Sequence, residues 1–165
     1  MSLAGLFMRI FLALSLGSSS PSFCSCAKYD SDQAQIEANL NTAVVVFAGR
    51  VERLVERSTE AVAECEAGAP EGSARFCRQT EVHFRVLRAW RGVQTRDFVV
   101  TTRRSSSCKY DFEIGKRYLV YGGDDVTRLA GAPTVSWCSR TRLLRDARRD
   151  EALLGAPSYL PRSDA

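Results

Sequence analysis

The residues best suited to chemistry in this chain are its six cysteines. All of them follow residue 23, and they form an even set: Cys24, Cys26, Cys65, Cys77, Cys108 and Cys138. In an oxidising compartment such a set predicts three disulfides, although the spacing alone does not select the pairing. A bridge between Cys65 and Cys77 is the simplest local pairing, because these two flank one loop.

Metal, redox and catalytic uses of these residues fit less well. Zinc sites usually combine a close cysteine pair with a second pair or with histidines, whereas this chain has one close pair, Cys24-Ser25-Cys26, and one histidine, His83. A redox pair needs an activated thiol, and no neighbouring residue predicts one. His83 alternates with apolar residues, which places it on the outer face of a strand. We therefore predict a protein that is not an enzyme and has no metal or cofactor of its own.

Residues 1–22 predict a secretory signal peptide. Arg9 is followed by the short apolar run of residues 10–16 and then by small polar residues. The apolar run is too short to span a bilayer, and the alternative is a buried N-terminal helix. We expect a secreted protein without a transmembrane segment, in the periplasm or outside the cell, with one domain over residues 23–155 and a flexible tail over residues 156–165.

The overall charge gives little indication of a partner. The net charge is +4, from 23 Lys and Arg against 19 Asp and Glu. This balance is too weak and too mixed in sign to predict binding to nucleic acid.

Alternating and β-branched residues predict a mainly-β domain. The expected strands are residues 43–55, 80–90, 98–102, 118–121 and 134–137. Gly49 interrupts the first strand and predicts a bulge. A short helix over residues 33–40, capped by Asp30 or Ser31, precedes the strands, and an amphipathic helix ending before Gly155 follows them. Residues 57–74 are predicted to be a loop, because they are rich in Glu, Ala, Gly, Ser and Pro.

Five strands with one helix before and one after favour a small closed barrel, which leaves no exposed sheet edge. The alternative, an immunoglobulin-type sandwich, would need about seven strands and a Cys–Trp–Cys arrangement that the sequence lacks.

An ordered set of short motifs resembles the tissue inhibitors of metalloproteinases (TIMPs) and the related netrin-like domains. The motifs are Cys24-Ser25-Cys26, Phe47-Ala48-Gly49-Arg50-Val51, the segment from Phe84 to Gly92, Ser107-Cys108-Lys109-Tyr110 and Cys138-Ser139. The resemblance covers most of the chain after residue 23. It implies a five-stranded OB-like barrel with the disulfides Cys24–Cys108 and Cys26–Cys138, which leaves Cys65–Cys77.

The same resemblance implies a function as a metalloproteinase inhibitor. In TIMPs the free amine and carbonyl of the first cysteine chelate the catalytic zinc of the protease, and the next side chain enters the adjacent pocket. Cys24 would be the chelating residue here and Ser25 the pocket residue, with a zinc metalloproteinase as the partner.

Signal-peptide cleavage decides whether the Cys24 amine is free. Cleavage after Ser22 would place small residues at both preferred positions but leave Phe23 ahead of Cys24. Cleavage directly before Cys24 would place Phe23 and Pro21 at those positions. With a blocked amine, Cys-x-Cys would serve only to attach the N-terminal segment, and the chain would be a non-inhibitory netrin-like binding or structural module at the cell surface.

A run of arginines suggests a site for that alternative. Asp97 is the only acidic residue between Arg85 and Cys108, a stretch that contains several arginines. On neighbouring strands and turns they could bind sulfated polysaccharide or phospholipid headgroups. The alternative is a solvated face balanced by distant acids. The residues of the expected patch are Arg85, Arg88, Arg91, Arg103 and Arg104. Arg96 lies in the same stretch of the sequence.

Overall fold

The computed structural model describes residues 24–72, 74, 77–104, 107–124 and 131–162. Within these ranges the helices are α1 (Asp32–Thr42), α2 (Thr59–Gly68) and α3 (Arg148–Leu154). The strands are β1 (Ala43–Glu56), β2 (Gln79–Arg91), β3 (Asp97–Arg103), β4 (Arg117–Gly123), β5 (Thr134–Val135) and β6 (Arg142–Leu143). The predicted signal peptide and residues 163–165 of the predicted tail lie outside the described residues.

The strands close into a barrel. The order of hydrogen-bonded neighbours is β1-β2-β3-β5-β4, and β4 pairs back onto β1. The β3–β5 pair is parallel and the other pairs are antiparallel, while β6 adds a short extra strand to β4. The predicted mainly-β, five-stranded barrel with a helix near each end is confirmed.

The first strand bends enough to serve two neighbours. β1 pairs with β2 along most of its length and with β4 from Ala43 to Arg50. Its register with β2 shifts between Ala48 and Gly49, where the sequence predicts a bulge. A Cβ atom on Gly49 would lie 3.1 Å from the rings of both Phe47 and Phe84, so the missing side chain lets these rings pack closely.

The barrel interior is filled by the apolar face of each strand. Val82, Phe84 and Val86 alternate along β2 and are all buried. The ring of Phe47 contacts that of Phe84 edge-on, with centroids 5.2 Å apart, and also packs against Phe98. Burial of each such side chain contributes about 1.5–3 kcal/mol, which makes this cluster the main source of stability in the barrel.

Residues 57–74, predicted to be a loop, contain the helix α2. Ser58 caps the helix by accepting a hydrogen bond from the amide of Ala61 at 3.2 Å. None of the α2 residues is buried, so the segment lacks the apolar stripe that would have marked a helix in the sequence. Of the Gly and Pro residues that suggested a loop, Gly68 is the last residue of the helix, and Pro70 and Gly72 follow it.

Gly155 and Tyr159, just before and within the segment predicted to be a flexible tail, contact the barrel. Tyr159 and Ala89 exchange two backbone hydrogen bonds, of 2.9 and 3.0 Å, on the open edge of β2. The indole of Trp90 also donates to the carbonyl of Gly155 at 2.8 Å. These backbone contacts are not encoded in a side-chain pattern, which is why the sequence did not predict them.

Candidate functional site at the Cys24–Cys26 edge

Two neighbouring disulfides attach the N-terminal segment to the barrel. Cys24 bonds Cys108, which follows β3, and Cys26 bonds Cys138, which follows β5. The sulfurs of Cys24 and Cys138 are 3.4 Å apart, so the two bridges touch. The structure also has the Cys65–Cys77 bridge, and all three bridges are those expected from the sequence and the resemblance.

Ser25 is exposed between these two attachment points. The cysteines on either side of it are partly buried, whereas Ser25 itself is open to solvent. A short segment fixed on both sides and exposed in the middle loses little conformational entropy when a partner binds it. We refer to residues 24–26, together with the segments that hold them, as the Cys24–Cys26 edge.

Trp137 is an exposed aromatic side chain on this edge that the sequence analysis placed only in a strand. Its backbone amide donates to the carbonyl of Cys108 at 2.8 Å, and it directly precedes Cys138. The side chain is 65% exposed, the largest fraction among the exposed large hydrophobic residues described. Exposed tryptophans are among the commonest anchors of protein interfaces. Its position beside a bridged cysteine was the one sequence signal that could have identified it.

An aromatic series connects Trp137 to the core. Its ring centroid lies 6.5 Å from that of Tyr110, which lies 4.6 Å from that of Phe112. The Thr102 hydroxyl bonds both the amide and the carbonyl of Tyr110, which holds the segment after Cys108 against β3. Burial raises the pKa of Tyr110 to about 12, so its phenol is neutral at physiological pH.

A buried ion pair supports the same edge from the inside. The side chains of Arg140 and Asp150 are 1% and 0% exposed. The Nε of Arg140 donates to Oδ1 of Asp150 at 2.9 Å, and Nη2 of the same guanidinium donates to Oδ2 at 3.2 Å. The Tyr121 hydroxyl adds a third hydrogen bond to Oδ1 at 3.2 Å. The sequence analysis missed this pair, because no local pattern distinguishes these two charges from their exposed neighbours.

The remaining guanidinium nitrogen of Arg140 reaches α1. It donates to Asp32 Oδ1 at 2.6 Å and is also hydrogen-bonded to Gln35. The hydrogen bond from Arg140 lowers the pKa of Asp32, and a weaker bond from Arg149 lowers it further. The Asp32 carboxylate therefore stays charged, and keeps this contact, to a lower pH than an ordinary aspartate.

The five arginines of the predicted anion-binding patch have other partners. Arg85 pairs with Asp97 at 3.1 Å, and Arg88 pairs with Glu151. Arg91 donates to backbone carbonyl groups before and at the start of β1.

The last two of these arginines lie apart from the others. Arg103 is opposite Gln79, at the far end of β2 from Arg91. Arg104 pairs with Glu56 at 3.0 Å. The structure therefore spreads the five arginines along β2 and β3 and gives three of them an acidic partner.

His83 lies on the outer face of β2, as the alternation predicts. Its Nδ1 is 3.3 Å from the guanidinium of Arg53, and its Nε2 is 3.6 Å from the carboxylate of Glu81. His83 therefore lies between a basic and an acidic side chain of neighbouring strand positions.

Three sulfurs on the edge lie close enough to hold a metal ion. The sulfurs of Cys24, Cys108 and Cys138 all lie within 4.8 Å of one another. Each belongs to a disulfide, however, and the sulfur that binds a metal is a thiolate. The proximity therefore reflects two adjacent bridges and does not indicate a metal centre.

Among the described residues, no helix has the length and apolar character needed to cross a membrane. No protein-family model matches the chain, and no curated protein shows detectable sequence similarity to it.

Proposed function

We propose that this chain is a secreted TIMP-like protein that inhibits a zinc metalloproteinase with its Cys24–Cys26 edge. The observation that carries the proposal is the exposed Ser25 between two cysteines that are bridged to different parts of the barrel. This arrangement presents a short, fixed piece of backbone, which is what an inhibitor that enters a protease active site requires.

The chemistry depends on the first residue of the processed chain. When Cys24 is the N-terminus, its neutral amine and its carbonyl oxygen bind at the open position of the protease zinc. The pKa of an ordinary α-amine is about 7.7–8.0, so a useful fraction is neutral at physiological pH. Ser25 is small and uncharged, which suits a side chain that enters the pocket beside the zinc.

Both disulfides contribute to affinity because they limit motion before binding. Cys108 fixes the chain at the chelating residue, and Cys138 fixes it two positions later. Trp137, whose amide is bonded to Cys108 and which directly precedes Cys138, supplies an apolar contact for the protease surface around the pocket.

The decisive experiment compares two N-termini of one protein. The chain is secreted, and its N-terminus and bridges are read by intact and non-reduced peptide mass spectrometry. Matched preparations beginning at Cys24 and at Phe23 are then assayed against a panel of zinc metalloproteinases. We expect inhibition by the first form and at least about 100-fold weaker inhibition by the second, since the extra residue occupies the amine. Equal inhibition by both forms would exclude zinc chelation.

A second pair of reagents tests the pocket residue. Ser25→Arg in the form that begins at Cys24 should abolish inhibition while leaving the urea midpoint unchanged, because Ser25 is exposed. Acetylation of the Cys24 amine should have the same effect on inhibition. Retained activity in either case would contradict the assigned roles.

The alternative, a netrin-like module that binds sulfated polysaccharide through its arginines, has less support. The expected patch is divided among ion pairs with Asp97, Glu151 and Glu56. Surface ion pairs are weak, so heparin chromatography still provides a direct test. Strong, salt-sensitive retention that is lost in an R103S/R104S variant would favour this module over the inhibitor.

A further inference from the structure

We infer that Arg140 is a positioning residue for the Cys24–Cys26 edge, because it holds α1 and thereby fixes the direction of the chain that follows Cys26. The inference deepens the proposed function and rests on it for its effect on protease binding. Its structural part, the ordering of residues 25–28, is independent of any protease.

One face of α1 converges on Arg140. Asp32 and Gln35 accept hydrogen bonds from its guanidinium, and Asn39 Oδ1 accepts one from its backbone amide at 3.0 Å. These three helix residues are spaced three and four positions apart, so they share one face of the helix. A single residue of the barrel thus contacts α1 over about two turns.

The C-terminal end of α1 is held separately, because the helix runs directly into β1, Leu40 packs against the core and Arg91 donates to the Leu40 carbonyl. The helix has 11 residues, and only Ile36 and Asn39 are buried. Isolated helices of this length are marginal in water, and one buried apolar side chain provides little docking energy. At the N-terminal end of α1, which follows Cys26, the hydrogen bonds from Arg140 to Asp32 and Gln35 are the main polar contacts that hold the helix on the barrel.

The ion pair and a disulfide join the same two segments. Arg140 is two positions after Cys138, and Asp32 is six positions after Cys26, to which Cys138 is bonded. Both disulfides hold residues 24–26, but the segment that follows Cys26 is attached by a disulfide at one end only. The contact between Asp32 and Arg140 fixes the other end of this segment and so the direction in which the chain leaves Cys26.

Burial makes Arg140 a fixed reference point. Its charge is removed from water, and Asp150 on one side and Asp32 on the other compensate for the lost hydration. A buried guanidinium that left this position would lose all its partners, so it has one orientation. The helix is held against a rigid group, not a mobile surface side chain.

The test removes the α1 side of the contact and leaves the buried pair intact. A D32A/Q35A variant loses both α1 acceptors of the Arg140 guanidinium, while Arg140 keeps its two bonds to Asp150 and the bond from its backbone amide to Asn39. The matched control is Q33A/E37A, which removes an exposed hydrogen bond of 2.9 Å elsewhere on the same helix. Both variants are made in the complete protein with Cys24 as the first residue.

Three quantities are measured for each protein: NMR order parameters of the amides of residues 25–28, the inhibition constant against a metalloproteinase that the unmodified form inhibits, and the urea midpoint. For D32A/Q35A we expect order parameters to fall from about 0.85 to below about 0.6 and inhibition to weaken about tenfold. The control should match the unmodified protein in both.

The outcomes separate this inference from the proposed function. Unchanged order parameters in D32A/Q35A would overturn the inference, and lowered order with unchanged inhibition would overturn its role in binding. If the unmodified protein inhibits no metalloproteinase, the proposed function fails, while the order parameters still decide whether Arg140 orients the edge.

Discussion

The sulfur of Cys24 lies 3.4 Å from the sulfur of Cys138, although each belongs to a different disulfide. A thiolate at Cys24 would therefore already be in contact with the Cys26–Cys138 bridge. Thiol–disulfide exchange proceeds by attack of such a thiolate on a neighbouring disulfide sulfur.

The first prediction follows from this proximity. In a Cys108→Ser variant the free Cys24 attacks Cys138, a Cys24–Cys138 bridge forms, and Cys26 leaves as the thiolate. Non-reduced peptide mass spectrometry should find both the native and the exchanged bridge. The control is Cys77→Ser, because its partner Cys65 is not among the three clustered sulfurs. Retention of only Cys26–Cys138 in the Cys108→Ser protein would contradict the prediction.

Removing one partner of the buried ion pair should destabilise the protein more than replacing both partners. Asp150→Ala leaves the Arg140 charge buried with only the contacts on α1, and it should lower the free energy of unfolding by about 3–5 kcal/mol. The double variant R140M/D150L removes both charges and replaces them with apolar volume, so its loss should be smaller than that of the single variant. Urea denaturation measures both. A double variant less stable than Asp150→Ala would refute this assignment.

Two glycines with similar backbone angles should respond differently to substitution. Gly92 and Gly115 have φ values of 67° and 81°, which are strained for other residues. A Cβ atom on Gly92 would lie 2.2 Å from the carbonyl oxygen of Val44, whereas Gly115 has no heavy atom within 4 Å of that position. Gly115→Ala should therefore cost about 1–2 kcal/mol, and Gly92→Ala about 1–3 kcal/mol more. Chemical denaturation of the two variants measures the difference, and equal losses would exclude the close approach.

The tyrosines predict loss of stability in alkali. Burial raises the pKa of Tyr110 to about 12 and also raises the pKa values of Tyr118 and Tyr121. An unfolded tyrosine has a pKa of about 10. Because the folded values are higher, their contribution to stability is complete below about pH 10 and is lost as the pH rises through the folded pKa values.

Two measurements check this alkaline transition. After a rapid pH jump to about pH 11, the phenolate absorbance of the native protein should be lower than that of the urea-unfolded protein at the same pH. Tyr110→Phe should reduce that difference. Identical absorbance of native and unfolded protein would show that these phenols are not protected.

Trp137 should matter for binding and little for folding. Because the side chain is 65% exposed, Trp137→Ala should change the free energy of unfolding by no more than about 0.5 kcal/mol. As an anchor of the proposed interface, its loss should weaken protease inhibition at least about tenfold. Ile114→Ala, in the turn before β4, removes a side chain that is 63% exposed outside the edge and is the matched control. Equal inhibition by both variants would show that Trp137 does not contribute to the interface.

Local patterns in the sequence were enough to predict the five strands that close the barrel, but not the short strand β6. Alternation along β2 and the β-branched runs in β1 and β3 are local patterns, and the half-buried surface of a sheet requires them. The bulge at Gly49 was predicted in the same way, and the cap of α1 was narrowed to Asp30 or Ser31, of which the structure has Ser31, because each feature depends on one residue and its immediate neighbours. Resemblance to TIMPs added Cys24, Ser25 and the expected disulfide pairs, which spacing alone leaves undecided.

Only the tertiary structure decided what surrounds that edge. Arg140 and Asp32 are separated by 108 positions in the chain, and no local pattern distinguishes them from exposed charges. The chain's fold also divided the arginines among separate acids and left Trp137 exposed beside Cys138. These outcomes depend on which distant segments meet when the barrel closes, and that closure is a property of the whole chain.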